Sequence, residues 1–295
     1  MRVHAHGVDG SLWKLTDSRE PIVLTDAGIK GLFGAPRVAA SSRVNATRPG
    51  STRTSTRYEE RTGTLPVAIN GARPAAQLRD AEERWWAAWS ADAPTTLEVQ
   101  LDGRPEPRFL DVYMQDDGDL TFTRDPDMLG RYVVTMNVIA HDPLWRSPVQ
   151  KNVFANAEPD ADFFGRDEVH GQDGGPDYWL SPAYLPIVKQ LRNSGNVPAP
   201  VRWILDGPLD GFAATIDGRT VGGPIVIPDG QTLIVDSDTN TATLYTGAEE
   251  IDVWRELTSW QFARLAPGKA ATVSIEREGT GGARLEWTPQ HLRAR

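Results

Sequence analysis

Tyr132-Val133-Val134-Thr135-Met136-Asn137-Val138-Ile139-Ala140 is the most strand-like stretch of the chain, and it runs directly into His141-Asp142-Pro143-Leu144-Trp145-Arg146-Ser147-Pro148. Its β-branched and apolar residues, interrupted by Thr135 and Asn137, suit a strand with a buried face. Pro143 and Pro148 cannot donate to a ladder, so regular pairing ends there. Together the two stretches predict a β-domain that closes near residue 147, dividing the 295 residues into 1–147 and 148–295. Each part is long enough to bury a core of its own.

Moving towards the N-terminus, short alternating runs predict strands at 12–17, 22–32, 64–70, 97–101, 108–115 and 120–124. Asn70-Gly71, Asp102-Gly103 and Asp117-Gly118 supply turns between them. One helix interrupts the pattern. Over 74–90, Ala75, Leu78, Ala81, Trp85, Trp86 and Trp89 recur near helical spacing, with Pro74 fitting a first turn and Pro94 just past the end. The three tryptophans suit a helix docked on a sheet or a subunit interface; a ligand-stacking platform is the alternative. Residues 37–61 carry Arg37, Arg43, Arg48, Arg53, Arg57 and Arg61 among Ser and Thr. They read as a solvated loop followed by an exposed strand at 52–58, or as an arm that contacts something acidic.

Towards the C-terminus, 155–182 is polar and acidic, with Phe163-Phe164 as a candidate exposed tip and Trp179 near its end. Beyond it the pattern is all strand and turn, at 187–193, 201–206, 213–216, 223–227, 231–236, 241–245 and 272–277. Asn193-Ser194-Gly195-Asn196, Pro228-Asp229-Gly230 and Pro267-Gly268 provide the turns. Short strands at even spacing predict a β-sandwich. Trp179, Trp203, Trp254, Trp260 and Trp287 are either its core or faces on which sugar rings stack.

Composition narrows function further. Hydrophobic content is 39% and charged content 24%, as in ordinary globular domains. With no cysteine, disulfides and thiolate metal sites are excluded. The net charge of −9 sits mostly in 148–295, and no concentrated basic face points to nucleic acid. Met1-Arg2-Val3-His4-Ala5-His6 lacks the apolar core of an export signal, and no stretch is long enough to span a membrane, which predicts cytoplasmic synthesis. His4-Ala5-His6 on a strand, with His141-Asp142, is a thin basis for zinc. Asp236-Ser237-Asp238-Thr239-Asn240 lacks the glycine and distal Glu of a calcium loop and reads as an Asx turn. No nucleophile elbow, phosphate loop or dinucleotide fingerprint is present. Paired carboxylates for glycoside hydrolysis carry no signal among 40 acidic residues. A non-enzyme without cofactor or metal is expected.

The remaining motifs resemble a family. Trp13-Lys14-Leu15-Thr16 and Val23-Leu24-Thr25-Asp26-Ala27-Gly28-Ile29-Lys30-Gly31-Leu32-Phe33-Gly34-Ala35-Pro36 resemble the opening of distal tail (minor tail) proteins of actinobacterial siphoviruses. Ile139-Ala140-His141-Asp142-Pro143-Leu144-Trp145-Arg146 is similar to the segment closing that family's first domain. Asn193-Ser194-Gly195-Asn196-Val197-Pro198-Ala199-Pro200-Val201 resembles the entry to its galectin-like sandwich, followed by Ile227-Pro228-Asp229-Gly230-Gln231-Thr232-Leu233 and Leu265-Ala266-Pro267-Gly268. The patterns occur in family order and span nearly the whole chain; the acidic insertion at about 155–182 has no counterpart.

The resemblance implies a mainly β protein: an N-terminal split β-barrel or sandwich with one docked helix, then a galectin-like β-sandwich. It implies a homohexameric ring at the distal end of the tail in the virion, joining the tail tube protein to the tail tip hub and tape-measure proteins. On that reading Arg53, Arg57, Trp85, Trp86 and Trp89 are candidate subunit-interface residues, and Phe163, Phe164 and Trp179 candidate contacts for a host cell-wall glycan or a partner. A carbohydrate-binding adhesin is the alternative function, and a tail-associated hydrolase a third without motif support.

Overall fold

The computed structural model describes residues 1–44, 49–71, 76–118, 120, 122, 124–154 and 187–295. The protein is mainly β: among the described residues 54% lie in strands and 8% are helical. It divides into two compact units, Met1–Pro148 with Gln290–Arg295, and Val149–Pro289. The last six residues therefore belong to the first unit, which corrects the expected second domain of 148–295.

In the first unit the strands are β1 Arg2–His6, β2 Leu12–Lys14, β3 Ile22–Leu24, β4 Val38–Val44, β5 Ser51–Tyr58 and β6 Arg61–Asn70. After helix α1 Ala76–Ala87 come β7 Thr95–Gln100, β8 Arg108–Asp116, helix α2 Pro126–Leu129, β9 Arg131–Ala140 and β10 Trp145–Arg146. The main sheet runs β2-β1-β7-β8-β9-β6-β3, with β10 joined to β8 and Gln290–His291 joined to β10. Every named pairing is antiparallel. Leu24 N–H donates to Leu15 O (2.8 Å), so the two ends of the sheet nearly meet and the sheet becomes barrel-like. Alternate side chains such as Val134, Met136 and Val138 point into the core, as a period-two strand demands.

Helix α1 covers this core with Leu78, Ala81 and Trp85. Trp85 meets Trp13 edge-on (centroids 5.5 Å apart) and Trp89 likewise (5.2 Å), the arrangement the ring quadrupoles favour. Tyr132 of β9 donates its hydroxyl to Glu82 Oε1 (2.7 Å) and pins the helix to the sheet. Gly71 sits so close that an added Cβ would lie 2.5 Å from the Leu78 backbone. The helix stops short of the expected residue 90 because Ala88 and Trp89 N–H bond back to Trp85 and Trp86 carbonyls, tightening the last turn. Thr95 Oγ1 then takes the Ala88 carbonyl (2.8 Å). The strand expected at 120–124 is absent among its described residues. There Asp125 caps α2, accepting from Asp127 N–H (3.0 Å).

The motifs at 30–36 and 139–146 pack on each other. Trp145 is fully buried, donates its indole N–H to Leu32 O (3.0 Å) and stacks on Phe33 (6.0 Å). Asp142 accepts from Leu144 N–H (3.1 Å) and shapes the turn that delivers Trp145.

The second unit contains β11 Gln150–Phe154, β12 Ile187–Arg192, β13 Ala199–Asp206, β14 Leu209–Ile216, β15 Arg219–Gly223 and β16 Thr232–Asp236. It continues with β17 Thr241–Thr246, β18 Glu249–Asp252, β19 Ser259–Trp260, β20 Arg264–Leu265, β21 Ala270–Gly279 and β22 Ala283–Trp287. One sheet is ordered β11-β22-β13-β16-β17-β18, with β20 on β13, and the other β12-β21-β14-β15-β19. Trp203, Leu233 and Leu285 from the first share a core with Phe212, Val273 and Ile275 from the second. The strand expected at 223–227 ends instead at Gly223, because Pro224 has no N–H to offer the ladder.

Asn193 organises the entry to this unit. Its Nδ2 donates to Val197 O (2.8 Å) and Leu265 O (3.0 Å), and its Oδ1 accepts from Gly195 N–H (2.8 Å). Among the described residues no helix is long and apolar enough to cross a membrane.

Candidate assembly interface

Strands β4 and β5 form a two-stranded ribbon separate from the larger sheets, in register from Val38↔Tyr58 to Val44↔Ser51 with an irregularity between Ser41 and Ser42. Almost every ribbon residue is exposed, Val44 at 76%. An isolated two-stranded ribbon with no buried face is marginal in water and leaves its edges open. Arg53 and Arg57 lie on either side of that irregularity, opposite Ser42 and Ala39, and so on opposite faces of the ribbon; neither makes an ion pair among the described residues. The ribbon's described residues include Arg43, Arg53 and Arg57 and no acidic side chain.

At the ribbon's root lies an open groove of ≈ 780 Å³ whose walls include Gly31, Pro36, Arg57, Tyr58, Glu60 and His141. His141 Nδ1 lies 3.5 Å from Glu60 Oε2 on its rim. Arg61 forms the floor. This buried guanidinium, 3% exposed, donates to the carbonyls of Leu32 (2.9 Å), Leu292 (2.7 Å), Gly34 and Pro143. Burial pushes its pKa down to about 10, with Asp142 opposing, so it stays a cation at neutral pH. Carbonyl dipoles in place of a carboxylate satisfy the charge. Three chain segments distant in sequence are thereby tied to the foot of the ribbon.

The other sequence candidates fall elsewhere. Trp85 and Trp89 are buried in the first unit's own core, 0% and 6% exposed, so their indoles are not open to a neighbouring copy. Trp86 is half-buried. Phe163, Phe164 and Trp179 lie outside the described residues. His4 and His6 flank one carboxylate, Glu98, at 3.7 and 2.7 Å. Among the described residues no group of three or more His, Asp or Glu is placed to hold a metal. Asp236 and Asp238 are occupied by Arg202 (2.8 Å) and Arg264 (2.7 Å), and Asp238 N–H donates to Asp236 Oδ1 (2.8 Å), which makes the segment an arginine-braced turn. Trp203 and Trp287 are core, whereas Trp254 and Trp260 are exposed at 43% and 61%.

Sequence reading missed β4 and the role of Arg61. The flanking signal for β4 was a second Ser/Arg run, Val38-Ala39-Ala40-Ser41-Ser42-Arg43-Val44, ahead of Pro49-Gly50. Nothing in the sequence separates Arg61 from its solvated neighbours.

The fold is that of bacteriophage tail hub and baseplate proteins, which are its structural neighbours. The Dit protein (gp 19.1) of phage SPP1, a hub of the adsorption apparatus in phages infecting Gram-positive bacteria, superposes with TM-score 0.60 at 13% identity, covering 98% of each chain. A chain of the phage P2 baseplate, in its activated conformation with Ca, superposes with TM-score 0.51 at 10% identity, covering 97% of each. No family model and no curated protein matches the sequence.

Proposed function

We propose that this chain is a structural, non-catalytic protein of a siphovirus virion, the distal tail protein of a phage with an actinobacterial host. Six copies form a ring at the distal end of the tail, between the tail tube protein above and the tip hub and tape-measure proteins below. The observation that carries this reading is likeness along the whole chain: both units, in the same order, correspond to the SPP1 hub protein over 98% of its length. The exposed β4–β5 ribbon supports it, because a closed ring supplies the cover the ribbon lacks and removes its open edges. On this reading Arg53 and Arg57 meet acidic groups of neighbouring subunits, and the second unit is galectin-like.

The test is particle mass in solution, with and without the tail tube protein as template, alongside negative-stain images. Rings of about six times the 32.4 kDa chain mass are expected. The double charge reversal Arg53→Glu/Arg57→Glu is expected to raise the concentration needed for ring formation about tenfold or more, about 1.4 kcal/mol per interface. A chain that stays monomeric even beside the tube protein would remove the hub reading. Rings unaffected by the charge reversal would remove the ribbon from the interface. Contact with host cell-wall glycan is the alternative role, and one surface favours it.

A further inference from the structure

Every other tryptophan among the described residues is buried or half-buried, yet Trp254 and Trp260 are exposed and adjacent. Their ring centroids lie 6.5 Å apart with the planes inclined at 33°. Leaving about half of each indole in water forgoes burial of about 100 Å² each, and exposed apolar surface of this kind marks a contact site. The platform is also rigid. Trp254 opens a 3-10 turn, Trp254–Glu256, held by buried Val253 and Leu257, with Val253 N–H on Ala242 O (2.9 Å). Trp260 in β19 pairs opposite Val221 of β15, and Gln261 N–H donates to Thr220 O (2.9 Å). Such preorganisation lowers the entropic cost of binding.

The indoles line an open cleft of ≈ 620 Å³ with Arg219, Asn240, Gln261 and Phe262. That volume fits a small ligand. Arg219, Asn240 and Gln261 are exposed; the two amides each offer donors and an acceptor, and the guanidinium donors only, to the hydroxyls of a ligand. Among the described residues no acidic side chain and no lysine lines the cleft. The ligand must present an apolar C–H face to the indoles and a hydroxyl-rich edge to two amides and a guanidinium. A pyranose ring does both. A protein partner fits less well, since a stable interface needs about 800 Å² on each side with an apolar centre. Here the exposed neighbours along the chain include Glu249, Glu250, Asp252, Arg255 and Glu256, with Ile251 the large apolar one among them.

We propose that the Trp254–Trp260 cleft binds a neutral oligosaccharide of pyranose units, as found in a bacterial wall polysaccharide. The site goes beyond the ring reading and is independent of it: particle mass reports one, sugar binding the other. The experiment is saturation-transfer NMR and titration calorimetry on the full chain, with disaccharides of glucose, galactose, N-acetylglucosamine and rhamnose as probes. Saturation is expected to reach the ring C–H protons of at least one probe. Trp254→Ala and Trp260→Ala are each expected to weaken its binding about tenfold or more, and Gln261→Ala about two- to fivefold. The exposed positions predict thermal transitions within about 1–2 °C of the parent chain. Should a tryptophan variant fail to fold, Gln261→Ala and Arg219→Ala decide, and unchanged affinity in both overturns the proposal. So does the absence of transfer to any probe, or transfer undiminished in the double tryptophan variant. Loss of another virion protein's attachment in that variant, with no sugar bound by the parent chain, would make the cleft a protein seat and likewise overturn it.

Discussion

Replacing Arg61 with methionine keeps most of the stem's packing and removes the guanidinium that four carbonyls share. Leu32 O keeps a partner, because Trp145 Nε1 also donates to it at 3.0 Å. The carbonyls of Gly34, Pro143 and Leu292 lose this donor at partly buried positions where water can replace it only in part. At about 1 kcal/mol for each such loss, the low end for a buried group deprived of its bond, the total is about 3 kcal/mol. Relief of the guanidinium's own desolvation works in the other direction, and a value of about 2–3 kcal/mol is expected. For a unit of this size that lowers the midpoint of thermal unfolding by about 4–12 °C. Arg61→Lys, whose ammonium offers three donors without the planar fork, should fall about halfway. The readout is calorimetry combined with amide hydrogen exchange, because loosening should appear first at residues 32–36 and 290–295, which Arg61 ties together. A methionine variant melting within about 1 °C of the parent would refute the claim that this cation holds the unit closed. Faster exchange confined to the second unit would refute it too.

Three further outcomes follow from the geometry. His291 is 5% exposed and pairs with Ser147 Oγ (2.8 Å), and burial together with Arg108 and Arg104 pushes its pKa down to about 4. The unfolded chain takes up this proton first, so stability is held above about pH 6.5 and lost as pH falls towards 4. About 1–2 kcal/mol is expected after allowance for screening, and a His291→Gln variant whose acid sensitivity matches the parent's in calorimetry would exclude this origin. Gly71→Ala should cost about 2–4 kcal/mol, because the new methyl meets the Leu78 backbone at 2.5 Å; near-normal urea unfolding would show that the helix can shift freely. Asn193→Ala removes two donated bonds and one accepted bond at a 1% exposed site, and a loss of about 2–4 kcal/mol in the second unit is expected in urea unfolding.

Much of this fold is legible where one side of an element is buried. The strand Arg131–Ala140 is legible because its inward positions are apolar throughout, and the presence of α1, though not its ends, because Leu78, Ala81 and Trp85 fall on one stripe. The ribbon is only half legible. Ala, Ser and Arg, with a valine only at each end, leave β4 no periodicity, so β5 alone is legible and its partner reads as loop. The expected strand at 223–227 slipped because Val226 and Ile227 suggested a strand, whereas the ladder lay upstream of Pro224. For the helix tryptophans, helical spacing says which side is apolar, not whether the sheet below or a neighbouring copy covers it. Trp254 and Trp260 could not be told from Trp203 and Trp287 until burial separated them.

Gln290–Arg295 completes a unit that the chain began almost three hundred residues earlier, with Ala294 fully enclosed and its N–H on Phe33 O. During synthesis the inserted unit, Val149–Pro289, is therefore available to fold before the first unit can be sealed. A chain broken off before Leu292 leaves Arg61 short of an acceptor and the groove floor open. Prematurely terminated products thus carry a defect beside the very ribbon that meets its neighbours in the proposed ring. In the proposed ring, where one faulty member spoils the circle, that arrangement makes residues 290–295 a condition of joining.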